Sequence, residues 1–254
     1  MTLASQRGLR GTRPEGVQDE KEAAARVREM FGRIAPRYDL LNHLLSLDID
    51  KVWRRRVAKK FSAILHTSNA RVLDLCCGTG DLAFAFRKEA PQGAEILGSD
   101  FVPEMLARAR AKAAASGAKV EFVEADALSM PFGDGSFDLV SCAFGFRNLA
   151  NYDRGLREIY RVLNPGGAAA ILEFSEPGGK MFGALYRFYF RHVLPRLGGW
   201  ISGNASAYSY LPSSVSKFPT PDELKSQCER TGYVDVRYER WTGGIVTLHT
   251  ARKP

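Results

Sequence analysis

Apolar positions fall into two rhythms along the chain, and the change between them marks its organisation. Residues 1–18 follow neither: they hold Arg, Gly and Pro without an apolar period and read as a disordered tail. Residues 19–34 read as a helix. A second helix is predicted from about residue 44 to 65, where Ile49, Trp53, Val57 and Phe61 recur every fourth residue as a buried stripe. From Ala70 short apolar runs alternate with helical segments, the sign of a parallel sheet. Predicted strands span residues 71–75, 95–98, 120–123, 137–142 and 168–173, with helices over 81–89, 103–116 and 152–163 and a turn at 164–167. Beyond an aromatic-rich insert, a helix begins near Thr220-Pro221-Asp222, where Thr can cap and Pro can occupy the first turn, and ends near Gly232. Residues 233–241 and 245–251 read as strands; joined only by Thr242-Gly-Gly244, they must be antiparallel.

A chain of 254 residues with 45% apolar and 25% charged residues is expected to form one large domain. Its apolar stretches end well short of the roughly 18–20 residues a membrane span requires. No apolar run follows the basic N-terminal residues, so a secretory signal is not expected and the protein reads as cytoplasmic. Cys76, Cys77, Cys142 and Cys228 lack metal-knuckle spacing; reduced, mostly buried thiols and no metal site are expected. The net charge of +8 is concentrated in two places. Residues 51–60 hold six basic residues, and residues 177–221 hold Lys180, Arg187, Arg191, Arg196 and Lys217 with no acid. Such patches suit phosphate, an anionic membrane or an acidic substrate, and a solvated helix face explains them as well. An RNA-binding protein is the alternative from another class. No RNA-binding module or base-stacking motif accompanies the charge, so nucleic acid is not the expected partner.

The most informative segment is Val72-Leu-Asp-Leu-Cys-Cys-Gly-Thr-Gly-Asp81. Gly78 and Gly80, between a buried strand and a helix, let a ligand approach the backbone at the sheet's carboxyl edge. The stretch Gly78-Thr-Gly80-Asp-Leu-Ala83 also fits the loose pattern of NAD-binding proteins, which keeps a dehydrogenase as an alternative at this point. Three acids separate the readings. Asp74 lies inside the strand and can face an ammonium group. Asp100 ends the second strand, where a carboxylate takes ribose hydroxyls. Asp126, followed by Ala127, comes after the third strand, where it can accept from an adenine amino group. Each alone is more often a cap or turn former; together they would attract a sulfonium and repel phosphates, which favours S-adenosylmethionine.

These segments resemble motifs I to III of class I methyltransferases. A narrower likeness lies in Phe31-Gly-Arg-Ile-Ala-Pro-Arg-Tyr-Asp-Leu-Leu-Asn42, Phe144-Gly-Phe-Arg-Asn148, Arg161-Val-Leu-Asn-Pro-Gly-Gly167, Leu172-Glu-Phe-Ser175 and Gly244-Ile-Val-Thr-Leu-His249. Together they resemble the demethylmenaquinone and polyprenyl-benzoquinol C-methyltransferases of quinone biosynthesis over roughly residues 28–253. The resemblance implies a Rossmann-like α/β fold: a mostly parallel seven-stranded sheet with a C-terminal antiparallel strand and helices on both faces. With the pattern above, it divides residues 19–254 into a helical lid (19–69), a cofactor-binding core (70–175), a substrate- or membrane-facing insert (176–219) and a closing helix with a strand pair (220–254). It assigns S-adenosylmethionine contacts to Thr79, Asp100, Asp126 and Ala127, beside Asp74, Gly78 and Gly80. Two positions depart from the family: Ala143 replaces a serine that some members use as a cofactor contact, and Cys77 replaces a smaller Ala or Gly.

The implied reaction is methylation of demethylmenaquinol to menaquinol, with the corresponding benzoquinol step of ubiquinone synthesis as the alternative. A hydroquinone carbon becomes nucleophilic when the neighbouring phenol is ionised, and a cation favours that form. Arg147 is the candidate that stabilises the phenolate and Asn148 the one that positions the ring; the competing reading pairs Arg147 with a local carboxylate such as Asp153. Tyr38, Asp39, His43 and His249 are chemically able to act as base, although a packing role suits Tyr38 and Asp39 equally and His249 reads better as structural. In the insert, Phe182, Leu185, Tyr189 and Val193 form one helical stripe and Lys180, Arg187 and Arg191 another. That arrangement suits a prenyl tail and peripheral contact with an anionic membrane, or a core-covering helix with a solvated basic face.

Overall fold

The computed structural model describes residues 11–12, 14, 16–17, 19–39, 46, 48–90, 92–177 and 205–254. Apolar side chains occupy both faces of Arg71–Leu75 (β1), with Val72 and Leu73 fully buried. A strand covered on both sides belongs inside a parallel sheet. β1 pairs in parallel with Glu95–Asp100 (β2) and Phe137–Ala143 (β4). Glu121–Glu124 (β3) extends the sheet past β2, and Leu163–Phe174 (β5) extends it past β4. Val246–Arg252 (β7) runs antiparallel to β5, and Val234–Trp241 (β6) antiparallel to β7. The seven strands lie in the order β3-β2-β1-β4-β5-β7-β6. The order reverses between β1 and β4, and the crevice outside their carboxyl ends is where such sheets bind ligands.

The helices are Glu20–Ile34 (α1), Ile49–Lys60 (α2, followed by a turn at Ser62–Leu65), Asp81–Glu89 (α3), Pro103–Ser116 (α4), Tyr152–Val162 (α5), Ala205–Lys217 (α6) and Pro221–Thr231 (α7). Trp53 and Val57 of α2 and Phe86 of α3 pack on Val72, Leu139 and Leu172, covering one face of the sheet. Leu156 and Ile159 of α5 and Leu224 of α7 pack on Leu73, Val140 and Ile171 of the other. Each such fully buried side chain contributes about 1.5–3 kcal/mol. A third cluster joins Ile34, Met105 and Val215, from α1, α4 and α6, with Phe101 and Phe174 at the strands' carboxyl ends. Helix starts follow local chemistry. Asp19 accepts the Glu22 N–H at 3.0 Å, and Thr220 and Glu223 form a reciprocal capping box on α7.

Three expectations change. Ile49 leaves the buried stripe: it is 37% exposed at the first turn of α2, while Trp53, Val57 and Phe61 are buried. The stretch 164–167 is not a free turn but part of β5, because Gly166 N–H donates to the Lys253 carbonyl and Lys253 N–H to that of Gly167. The described part of the 1–18 segment is docked rather than disordered: Thr12 and Val17 are both 3% exposed, and Thr12 N–H donates to the Leu149 carbonyl at 2.8 Å. Gly11 approaches so closely that a Cβ there would lie 2.1 Å from the Ala150 carbonyl carbon. The insert residues Lys180, Phe182, Leu185, Arg187, Tyr189, Arg191 and Val193 lie outside the described residues.

Candidate active site

β1 ends in a turn that reverses within five residues before α3 begins. Cys76, Gly78 and Gly80 all adopt left-handed backbone (φ 53, 55 and 86). Cys77 N–H donates to the Ser99 carbonyl at 2.9 Å, and Gly80 N–H to that of Cys77 at 2.9 Å. The two glycines do different work. A Cβ on Gly78 would meet only the Tyr38 ring, at 3.8 Å, so this glycine leaves the turn open to the adjoining cavity. A Cβ on Gly80 would lie 2.8 Å from the Phe122 ring, so this glycine admits an aromatic side chain rather than a ligand. Gly78 therefore lines the cavity, and Gly80 faces the Phe122 ring. Gly80→Ala should destabilise the fold by about 1–2 kcal/mol through left-handed strain and by about 1–3 more through displacement of the Phe122 ring. Thermal unfolding measures this, and an unchanged midpoint contradicts it.

The three acids converge on one cavity of about 910 Å³, counting its open mouth, which Gly78, Thr79 and Ala127 also line. Asp74 accepts the Ala83 N–H at 3.0 Å. Burial pushes its pKa up to about 8, against the opposing pull of that N–H and of Arg54. Asp100 accepts the Gly78 N–H at 2.8 Å on one oxygen and the Val102 N–H at 2.9 Å on the other. Burial raises its pKa to about 6 despite these donors. Asp126 accepts the Leu128 N–H at 2.8 Å. Each carboxylate oxygen has two lone pairs, so these backbone bonds fix the acids and leave acceptor capacity for a ligand. Phe101, Val102 and Met105 supply apolar wall, and Ala24, Phe31 and Tyr38 line the cavity from the N-terminal side.

Asp39, a candidate base, braces this site together with Lys112 and Asp81, to which the sequence assigned no role. Thr79 Oγ1 donates to Asp39, and Lys112 Nζ reaches Asp81 at 2.6 Å and Asp39 at 3.2 Å. The segment after α1 is thereby clamped to the glycine turn and α4, and Asp39 is occupied by these partners. Arg54 lines the cavity, pairs with Asp50 and lies 5.4 Å over the Phe144 ring. Both partners of that ion pair are buried, and no local sequence signal distinguished them from the solvated cations of the same helix.

At the carboxyl end of β4, Asn148 lines the cavity and Arg147 does not. Arg147 is buried, and its partner is Glu173 of β5 rather than Asp153. Nη1 donates to Glu173 Oε2 at 3.0 Å and to the Phe144 carbonyl, and the Arg147 N–H donates to Glu173 Oε1 at 3.0 Å. Burial works against the guanidinium charge, but Glu173, Tyr38 and Tyr210 outweigh it and hold the pKa above its ordinary value. Among the described residues Nε is buried without a hydrogen-bond partner. Tyr210 of α6 donates to Asn148 Oδ1 at 3.1 Å, and its hydroxyl lies 3.2 Å from that of Thr12. Glu173, Tyr210 and Thr12 were missed as site residues, although Glu173 sits in a quoted motif.

Of the candidate bases, Tyr38 lines the cavity, and His43 lies outside the described residues. His249 is held away under α7: Nε2 donates to the Pro221 carbonyl at 3.0 Å, and burial lowers its pKa to about 4. All four cysteines are free; burial, then the neighbouring Asp100 and Asp74, pushes the Cys77 thiol well up, so it stays protonated. Among the described residues no group of His, Cys, Asp and Glu could hold a metal ion.

Residues 17–253 match the model of the ubiE/COQ5 methyltransferase family. The chain belongs to that family. It is 51% identical, over 93% of its length and 96% of the relative's, to a protein of Deinococcus radiodurans named demethylmenaquinone methyltransferase. It is 53% identical to one of that name from Thermus thermophilus, over 89% of this chain and all of the relative. A Geobacter protein named ubiquinone/menaquinone biosynthesis C-methyltransferase is 45% identical over 91% of this chain and 98% of its own. The fold recurs in a possible histamine N-methyltransferase from Thermotoga maritima (16% identity, TM-score 0.62, 90% of this chain and 100% of that one). It also recurs in an S-adenosylmethionine-dependent methyltransferase from Aquifex aeolicus (19%, 0.58, 79% and 89%). As a class I methyltransferase, this family member takes its methyl group from S-adenosylmethionine. The cavity fits that donor: Gly78 leaves room at the turn, and acids lie at three places along the cavity, a set of acceptors that suits a ligand carrying ammonium and sulfonium groups and disfavours a pyrophosphate.

Proposed function

We propose that this methyltransferase converts demethylmenaquinol to menaquinol by methylating a ring carbon. The observation that carries the reading is the identity of 51% and 53%, over most of each chain, with two proteins named for that reaction. The Geobacter relative's name supports a second reading in which a benzoquinol is also accepted. A comparison of kcat/KM for the two quinols with the purified enzyme decides between them. The naphthoquinol is expected to be preferred; preference for the benzoquinol moves the enzyme to ubiquinone synthesis, and no turnover of either removes the proposal.

The methyl donor, when bound, supplies a methyl group on positively charged sulfur. The protein's part is to hold, align and dry the reactants. Asp100 would accept from ribose hydroxyls and Asp126 from the adenine amino group, with Thr79, Gly78 and Ala127 alongside and Asp74 facing the ammonium end. Asn148, oriented by Tyr210, would hold a quinol hydroxyl from the β4 side. Arg147, outside the cavity and paired with Glu173, would act by fixing the loop that carries Asn148. The aromatic pair Phe144 and Phe174, with centroids 4.7 Å apart, would help exclude water. Among the described residues no helix is long and apolar enough to cross a membrane. A prenylated quinol would be met by peripheral contact at the inner membrane face.

The two raised carboxyl groups give opposite pH slopes to stability and to donor binding. The folded protein holds protons on Asp74 and Asp100 up to about pH 8 and 6, whereas their ordinary value is 3.8. Between those limits the folded state binds more protons than the unfolded chain, so this contribution to stability falls as pH rises. The cationic donor prefers ionised carboxylates, so its affinity rises over pH 6–8 and binding near pH 7 releases protons. Calorimetry in buffers of different ionisation enthalpy should show that release; proton uptake, or none, contradicts the assignment.

A further inference from the structure

The outward face of α2 holds an unusual surface. The helix turns Asp50, Trp53, Arg54, Val57 and Ala58 inward. Its outer arc carries Lys51, Arg55, Arg56, Lys59 and Lys60, all exposed, and with them two aliphatic side chains, Ile49 (37% exposed) and Val52 (57%). Among the described residues two carboxylates answer the five cations. Asp48 pairs with Lys51 at 2.6 Å, and Glu239 of β6 meets Lys60 at 2.5 Å and Arg56 at 3.7 Å. Arg55 and Lys59 make no ion pair among the described residues. We propose that this arc of α2 is a docking face for an anionic lipid bilayer.

Three observations select that partner. The charge is complementary to anionic headgroups, and Val52 sits among the cations where a shallow apolar contact would seat between them. A nucleic-acid surface would offer stacking rings instead, yet the aromatic beside this arc, Trp241, is buried under the Arg56 guanidinium, 4.3 Å from its centroid. The inner face of the same helix belongs to the active site. Arg54 lines the cavity, and Trp53 packs on Phe144 and Phe174, above which Arg147 is held. One helix thus separates the bilayer from the cavity, and docking brings the site to the phase in which a prenylated quinol dissolves. In this respect the inference rests on the proposed substrate.

The test uses the full chain and sedimentation with vesicles of phosphatidylcholine, alone or mixed with phosphatidylglycerol. The wild type is expected to bind the mixed vesicles, to release them at high salt, and to ignore neutral ones. Arg55→Gln/Lys59→Gln should weaken partitioning by about twenty-fivefold, about fivefold for each charge removed, and Val52→Asp should weaken it further. These variants should keep full turnover of a tail-less quinol in solution and lose turnover of a prenylated quinol held in vesicles. Binding that is unchanged in the variants overturns the proposal. So does a wild type that binds RNA oligonucleotides and leaves anionic vesicles alone. If vesicle binding behaves as stated while no quinol is methylated, the substrate assignment fails and the docking face stands.

Discussion

Glu173→Ala is expected to lower the unfolding free energy by about 3–5 kcal/mol, a fifth or more of the roughly 5–15 kcal/mol that holds an ordinary domain together. The carboxylate is 1% exposed, and its oxygens accept from the backbone N–H groups of Arg147 and Phe174 and from Arg147 Nη1. Its loss leaves a buried guanidinium whose remaining acceptor among the described residues is the Phe144 carbonyl. Urea unfolding should show a lower midpoint at unchanged slope. The double variant Arg147→Met/Glu173→Leu should recover much of the loss, because both charges leave together. A fall below about 1 kcal/mol for Glu173→Ala would show that the ion pair does not anchor this loop. Where the variant still folds, turnover should fall further than donor affinity, since Asn148 loses its support while the acids at the glycine turn keep theirs.

Asp100→Ala acts on the other half of the site. It removes the acceptor for the Gly78 and Val102 N–H groups, so the turn loses its brace as well as the proposed ribose contact. The affinity for S-adenosylhomocysteine should fall by about 1–3 kcal/mol, or about 5- to 150-fold, measured by calorimetry. Asp100→Asn keeps one acceptor oxygen and should lose less. Equal losses in the two variants would mean that the charge, rather than the acceptor geometry, carries binding.

Features governed by neighbours in sequence were legible. The boundaries of β1, α3 and α4 follow the pattern because Gly80, Pro103 and Gly117 punctuate it, and α7 announces itself through Thr220 and Pro221. The acids Asp74, Asp100 and Asp126 were found because each directly follows or lies within a strand whose end the sheet brings to one crevice. What stayed hidden depends on distant contacts. Glu173 meets Arg147 from 26 residues away, and Lys112 reaches Asp81 from 31, distances over which no periodicity speaks. The division of labour between Gly78 and Gly80 depends on where Phe122 falls on β3. Ile49 fits the i+4 spacing of the α2 stripe and misses the core because the helix turns the face of Asp50, Trp53, Arg54, Val57 and Ala58 inward, with Ile49 at its edge.

The proposed reaction is a carbon-directed methyl transfer from a donor held by three acids onto a quinol held at the end of β4. Supplying S-adenosylmethionine with an isotopically labelled methyl group, together with reduced demethylmenaquinone, and locating the label by NMR tests it most directly. The expected product carries one labelled methyl on a ring carbon and forms only from the reduced ring. Label on a quinol oxygen, or no transfer to any quinol by a protein that binds the donor, would contradict the account.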